Sequence, residues 1–186
     1  PGTSSHDPAT IKARVPRPNP DTNQDSQAES WQRSKPDKKY GRVAGYIIGN
    51  EVNSHWWWYN MGRVTMKEFT ADYLRTVRLA HSAIRRQSSW ARVYISLEHH
   101  WNMRYLAGDE KQAFAGQPFL KYFTQLAKKD GDFDWHLAFH PYPENLRNPK
   151  FWNDKSATSK SNTPRITFNN LHMLKIPERD PENEST

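Results

Sequence analysis

The sequence contains no cysteine among its 186 residues. This absence excludes a disulfide framework, a thiolate metal site and a cysteine nucleophile, and it leaves the redox compartment open. The sequence also lacks an apolar run of the roughly 18 residues that a membrane-spanning helix needs, so no membrane span is predicted. The length allows one domain or part of one.

Acidic residues are scarcer than basic ones, with 20 Asp+Glu against 27 Lys+Arg, and the mean hydropathy of -1.02 is very low for a globular chain. Eight Trp, eight Tyr and eight Phe are nevertheless too many aromatic residues for a disordered chain. The polar residues concentrate at both ends. We therefore predict an extended or disordered, proline-rich segment at residues 1–38, a folded domain at 39–174 and a polar tail at 175–186.

The middle of the sequence alternates apolar runs with segments of helical periodicity. Three runs have the β-branched composition of buried strands: residues 42–50 (RVAGYIIGN), 91–97 (ARVYISL) and 135–139 (WHLAF). Thr65 is followed three positions later by Glu68, which is the signature of a capping box at the start of a helix. Apolar residues then recur at spacings of three or four for about six turns.

A second helix is predicted at residues 119–127, and residues 166–174 form a weaker helix candidate. The order of elements is therefore βαβαβ. Because neighbouring parallel strands need a helical crossover between them, this order predicts parallel strands. The predicted fold class is α/β.

A polar cluster follows each of the three predicted strands. These clusters are NEVN at 50–53, EHHW at 98–101 and HPYP at 140–143. In parallel α/β folds the carboxyl ends of the strands meet at one rim, where ligands bind. One such cluster alone could simply mark the turn after a strand. Polar clusters after all three strands indicate a functional site. No glycine-rich phosphate loop follows a strand, so no nucleotide cofactor is predicted.

A glutamate beside an asparagine at a strand end, surrounded by aromatic rings, is typical of glycoside hydrolysis. That reaction needs a carboxylic acid to protonate the leaving oxygen and a second carboxylate as nucleophile or base. Glu51 is the predicted acid/base, and flat rings suit the apolar faces of sugars. In the tryptophan run that follows, we expect some rings to bind sugar and others to pack the loop. The predicted substrate-binding residues are Asn50, Asn53, Trp56, Trp57, His99, His100, Trp101, His140 and Tyr142.

Four long strings, YIIGNEVNSHWWWYNMG, VYISLEHHW, WHLAFHPYPENLRNPKFWND and TPRITFNNL, resemble the bacterial DUF5722 family of glycosidase-like proteins. The resemblance runs from about residue 35 to about residue 174. It implies a barrel similar to that of the large clan of retaining (β/α)8 glycosidases, with a carbohydrate substrate. By the resemblance, Asn50 and Glu51 end strand four, His99 and His100 end strand five, and residues 140–142 end strand six.

Two features depart from a complete (β/α)8 barrel. Residues 1–41 are too polar to supply strands one to three, and no apolar strand follows Leu174 to carry the nucleophile of strand seven. The sequence also begins without an initiator methionine or a signal core. We therefore expect a partial TIM barrel of about strands four to six, with its nucleophile outside this chain and no activity alone. Location and oligomeric state stay open.

The second carboxylate has one candidate inside the folded region. Strand alternation places Glu98 on the face opposite Val93, Ile95 and Leu97. Glu98 is therefore either a catalytic carboxylate or one half of a structural ion pair.

A metal-dependent hydrolase is one alternative function. Five histidines near the predicted rim, together with Glu51, have the donor atoms that zinc or manganese prefers. Adjacent His99 and His100 should, however, point to opposite sides of a strand, and the sequence has no H-x-H or H-E-x-x-H pair. No metal is therefore predicted. The histidines of this alternative are His55, His99, His100, His136 and His140.

A binding module without catalysis is the other alternative, with a carbohydrate or a polyanion as its ligand. The formal charge of +7 and four arginines on the Thr65 helix would suit a polyanion. Those arginines lie opposite the apolar stripe, as on an ordinary solvated helix face, and nucleic acid is not predicted as a partner. The four are Arg75, Arg78, Arg85 and Arg86.

Overall fold

The computed structural model describes residues 42–106 and 109–177. The predictions for residues 1–38 and for most of the tail at 175–186 lie outside the described residues. The described strands are β1 (Gly45–Ile48), β2 (Arg92–Glu98) and β3 (His136–His140), and the helices are α1 (His55–Trp58), α2 (Met66–Gln87) and α3 (Gly116–Lys129). Short 3-10 turns occur at Val52–Ser54, Phe151–Asn153 and Phe168–Met173.

The three strands form one parallel sheet in the order β1-β2-β3. Ile48 pairs with Ile95, and Glu98 pairs with His140. All three carboxyl ends therefore lie at the same edge of the sheet. The predicted α/β class, the βαβαβ order and the parallel strands are confirmed. The sheet has three strands within the described ranges, and a (β/α)8 barrel stays a prediction.

The long helix α2 begins at the predicted capping box. The Thr65 hydroxyl accepts a hydrogen bond from the Glu68 backbone N–H, and the Glu68 carboxylate accepts one from the Thr65 N–H at 2.9 Å. Its apolar stripe is buried against β2 and α3, where stacked and edge-on rings make the core largely aromatic. The fully buried rings of this core are Phe69, Tyr73, Trp101, Phe119, Phe123 and Trp135.

Residues 166–174, the weaker helix candidate, form the 3-10 turn Phe168–Met173 instead of an α-helix. The reason is Asn170, whose backbone is not helical (φ -132°, ψ 33°). Its buried side chain donates to the carbonyls of Thr158 and Arg165, at 2.9 and 3.0 Å, and so ties the turn to the preceding loop. Local side-chain bonds of this kind compete with helix formation.

The segment before this turn pairs with the chain that leaves β2. Ile166 N–H donates to the His99 carbonyl at 2.9 Å, and His100 forms an antiparallel bridge with Arg165. Trp101 N–H donates to the Pro164 carbonyl at 2.9 Å. This pairing fixes the backbone of residues 99–101 at the carboxyl edge of the sheet.

Two of the four arginines on α2 connect this helix to neighbouring segments. Arg78 donates to the carbonyls of Ala127 and Gly131, and Arg85 donates to the Ala91 carbonyl at 2.7 Å. These guanidinium groups are therefore occupied in holding the fold. Among the described residues, no helix combines the length and the apolar character needed to cross a membrane.

Candidate active site at the carboxyl ends of the strands

A cavity of about 470 Å³ opens at the carboxyl edge of the sheet. Its lining includes side chains that follow each of the three strands, so the strand ends do converge on one place. The lining residues are Asn50, Glu51, Ser54, Trp58, Glu98, His99, His100, Tyr105, Tyr142, Glu144, Leu146 and Arg165.

Glu51 is held at this cavity by its backbone and by two neighbouring strands. The chain leaves β1 through Gly49, which has a φ of 77°, and Glu51 itself is left-handed (φ 45°, ψ 50°). Its N–H donates to the Ser96 hydroxyl of β2 at 3.0 Å. Its side chain is 11% exposed, and Oε1 lies 2.9 Å from Nδ1 of His140 at the end of β3.

His140 lies behind Glu51 and links it to Ser96. The His140 Nε2 is 3.4 Å from the Ser96 hydroxyl, and the Tyr142 hydroxyl is 3.5 Å from Nδ1. Burial and the neighbouring Glu51 carboxylate raise the pKa of the Tyr142 hydroxyl. Tyr142 therefore keeps its proton at neutral pH and is a hydrogen-bond donor beside the carboxylate.

Glu98 accepts four hydrogen bonds and is almost completely buried. Oε1 accepts from Asn53 Nδ2 at 2.7 Å and from the Ser54 hydroxyl at 3.0 Å. Oε2 accepts from the His100 N–H at 3.0 Å and pairs with His100 Nδ1 at 2.5 Å. Burial acts to raise the pKa of Glu98, but the hydrogen bonds from His100 lower it overall. Glu98 is thus an anion held in place by its neighbours.

His99 and His100 both line the cavity, although strand alternation predicted opposite sides for them. Alternation fails because β2 ends at Glu98 and the next residues pair with the segment around Arg165. The His99 Nδ1 lies 2.9 Å from the Tyr142 carbonyl, which can only accept, so Nδ1 carries the proton and Nε2 has a lone pair. Burial lowers the pKa of His99.

Five of the nine predicted sugar-binding residues are not among the residues that line the cavity: Asn53, Trp56, Trp57, Trp101 and His140. Asn53 is fully buried, where its amide orients Glu98. Trp101 is 2% exposed and packs edge-on against Phe139 in the core. Trp56 does not line the cavity.

The tryptophan run contributes a different ring from the two predicted. Trp58 lines the cavity and is 54% exposed, whereas Trp57 packs edge-on against Tyr105 at 4.7 Å. The run folds as the single-turn helix α1. A segment of four residues is too short to show which of its side chains face the core, so the direction of each ring could not be predicted from the sequence. The rings of Trp58 and Tyr105 therefore line the cavity, and those of the predicted Trp56 and Trp57 do not.

Besides Trp58, five lining residues were absent from the sequence predictions: Ser54, Tyr105, Glu144, Leu146 and Arg165. Tyr105, Glu144 and Arg165 all lie in irregular segments, where neither strand ends nor helical periodicity assigns a direction. Glu144 Oε2 accepts from the Ser156 N–H at 3.1 Å, and Arg165 lies 3.5 Å from its other oxygen. The TPRITFNNL string, which contains Arg165, was the only sequence signal for this residue.

Two of the histidines considered for a metal-dependent hydrolase are elsewhere. His55 is fully buried between the rings of Phe69 and Phe114. His136 begins β3, at the far end of the strand from the cavity, and lies 3.3 Å from Asp134.

Within the described residues, Glu98, His99 and His100 are the group that could hold a metal ion. One donor atom from each lies within 4.8 Å of the others.

The family model DUF5722, described as a family of unknown function, matches residues 28–177. The chain therefore belongs to this family, as the four strings indicated. No curated protein and no solved structure matches the chain.

Proposed function

We propose that this member of DUF5722 is a glycoside hydrolase domain that cleaves O-glycosidic bonds with Glu51 as its acid/base. The observation that supports this proposal is the position of Glu51, whose carboxyl group meets an aromatic cavity at the carboxyl edge of a parallel sheet. In this proposal the sheet corresponds to strands four to six of a (β/α)8 barrel, as the sequence resemblance implies.

The partners of Glu51 suit a group that gains and loses a proton. When Glu51 is ionised, His140 Nδ1–H donates to it and the Ser96 hydroxyl donates to His140 Nε2. When Glu51 is protonated, its O–H can donate to Nδ1, and Ser96 can accept from Nε2–H instead. The carboxyl group therefore keeps its orientation in both states, as a general acid that later acts as a base requires.

The aromatic lining supports a sugar as the substrate. Trp58, Tyr105 and Tyr142 present rings at the cavity, and two of the three also offer a hydroxyl group. Such rings contact the apolar face of a sugar while their polar edges bond to its hydroxyls. Asn50 lines the cavity beside Glu51 and adds an amide donor.

A retaining mechanism also needs a nucleophile, and the other two carboxylates of the cavity are poorly suited to that role. Glu98 already accepts four hydrogen bonds, and Glu144 is held by Ser156 and Arg165. We therefore assign Glu98 to positioning the loop after β1, through Asn53 and Ser54. The nucleophile is proposed to come from outside the described residues.

Added azide tests the role of Glu51, because it can act as the nucleophile that the described residues do not supply. Azide attacks the anomeric carbon while the departing oxygen takes the proton of Glu51, and the products are a glycosyl azide and an alcohol. With the full chain and glycosides that have basic leaving groups, Glu51→Ala should form glycosyl azide roughly 10²–10⁴ times more slowly than the wild type. With activated aryl glycosides the two proteins should differ little.

The matched control is Glu110→Ala, which removes an exposed carboxylate away from this cavity and should behave as the wild type. Sugar binding provides a second readout through tryptophan fluorescence. Trp58→Ala should weaken it, whereas Trp152→Ala, which removes a 60% exposed ring elsewhere, should not. Binding without any reaction would favour a carbohydrate-binding module. Equal losses on both substrate types, or no sugar binding, would refute the proposal.

A further inference from the structure

We propose that Glu98, His99 and His100 form a binding site for one divalent transition-metal ion of the zinc class. The three residues are consecutive, and none is more than 6% exposed. One donor atom of each lies within 4.8 Å of the other two. Metal binding here is separate from the role of Glu51.

The donor atoms are arranged as ligands of one ion require. Zinc binds imidazole nitrogen and carboxylate oxygen at about 2.0–2.2 Å, so two donors of one ion lie roughly 3–4 Å apart. The His99 Nε2 is 3.8 Å from Glu98 Oε2. His100 Nδ1 is 2.5 Å from the same oxygen, with which it forms a hydrogen bond. An ion bound between them would replace this hydrogen bond, and the two atoms would move apart by roughly 0.5–1.5 Å.

The surrounding bonds resemble the outer shell of a metal site. His99 donates Nδ1–H to the Tyr142 carbonyl, which fixes the tautomer that leaves Nε2 as a ligand. The Glu98 oxygen that faces away from the histidines is held by Asn53 and Ser54.

The charge of the cavity is opposite to that of the chain and favours a cation. The protein has a formal charge of +7, but three carboxylates line the cavity beside a single guanidinium group. These are Glu51, Glu98, Glu144 and Arg165. Because two of the three proposed ligands are imidazoles, a borderline ion such as Zn²⁺ or Co²⁺ is favoured over Ca²⁺ and Mg²⁺, which prefer oxygen.

Calorimetric titration of the full chain with Zn²⁺, after removal of any purification tag and treatment with a chelator, tests this site. The wild type should bind one equivalent, and His99→Gln and His100→Gln should each bind at least about tenfold more weakly. The matched control is His172→Gln, at an exposed histidine of the 3-10 turn Phe168–Met173. This variant should bind as the wild type does. Ca²⁺ and Mg²⁺ should compete poorly.

Cobalt provides a spectroscopic readout that does not depend on hydrolysis. Co²⁺ should give visible d–d absorption in the wild type and in His172→Gln, and the absorption should be lost in His99→Gln. Circular dichroism establishes that each variant is folded, and His99 is the more suitable position because its ring bonds only to one carbonyl. Wild-type affinity retained in His99→Gln, or no binding of Zn²⁺ by the wild type, would overturn the proposal. Either result would leave the role of Glu51 unaffected.

Discussion

Glu51 has a left-handed backbone, with φ 45° and ψ 50°, that most side chains adopt only at a cost. Strain of this kind persists where the surroundings hold it in place, and it is concentrated at functional sites. Here the Ser96 hydroxyl holds the Glu51 N–H, and His140 holds its carboxyl group. The strained backbone of Glu51 therefore indicates that its side chain serves the function of the site and does not add to the stability of the fold.

Replacement of Glu51 by asparagine should stabilise the protein relative to replacement by glutamine. Asparagine tolerates the left-handed region, whereas glutamine retains the strain and the length of the native side chain. We expect the free energy of unfolding of Glu51→Asn to exceed that of Glu51→Gln by roughly 0.5–1 kcal/mol, as measured by urea denaturation. Equal midpoints with equal slopes for the two variants would show that the backbone at Glu51 is unstrained.

The sequence predicted those site residues that a regular strand places. Glu51, His140 and Tyr142 follow strands whose ends were recognisable, so the common edge of a parallel sheet brought them together. Trp58 and Arg165 could not be assigned in this way, because one lies in a single helical turn and the other in an irregular segment. The directions of these two side chains depend on contacts with residues distant in the sequence, which the local pattern of apolar residues does not show.

At the scale of elements, periodicity and capping predicted the order correctly, and errors arose where elements end. The strand predicted at 42–50 is shorter in the structure, at Gly45–Ile48, because the chain turns at Gly49. The alternation of a strand was extended two residues beyond the end of β2, and so His99 and His100 were predicted to point to opposite sides. The pairing with Arg165 that changes their direction involves residues more than 60 positions apart.

The short helix α1 is anchored by His55, which gives the stability of this element a pH dependence. Burial lowers the pKa of His55, and its bond to the Lys111 carbonyl only partly opposes the effect. The unfolded chain therefore binds a proton near pH 6.5 that the folded protein does not. Stability from the neutral ring is present above about that pH, and it is lost as the pH falls below it.

His55→Phe should reduce this dependence while it retains a ring between Phe69 and Phe114. Near neutral pH the variant should be less stable by about 1 kcal/mol, because the bond to the Lys111 carbonyl is lost. Its unfolding free energy should then fall less than that of the wild type between about pH 7.5 and about pH 5.5. Thermal unfolding at several pH values measures both effects. His172→Phe, at an exposed histidine, should retain the wild-type profile, and a parallel profile for His55→Phe would refute the assignment.

At the scale of the whole molecule, the described sheet has apolar surface on its β1 side. Within the described ranges β1 pairs with β2 alone, and Ile47 is 56% exposed on it, beside Tyr46 at 40%. An edge strand with exposed apolar side chains is a template for pairing with another chain. Natural edges usually carry a charge, often lysine, that prevents such pairing.

We therefore expect the purified chain to self-associate through β1 as its concentration rises. Ile47→Lys should shift the weight-average mass in sedimentation toward that of the monomer, because a charged side chain at the edge opposes pairing and removes apolar area. Leu79→Lys is the matched control, since Leu79 is even more exposed, at 67%, but lies on the helix α2. This control should leave the association unchanged. A wild-type chain that stays monomeric over the whole concentration range would show that β1 is not a contact between chains. Equal effects of the two substitutions would show the same, because Ile47 lies on the edge strand and Leu79 does not.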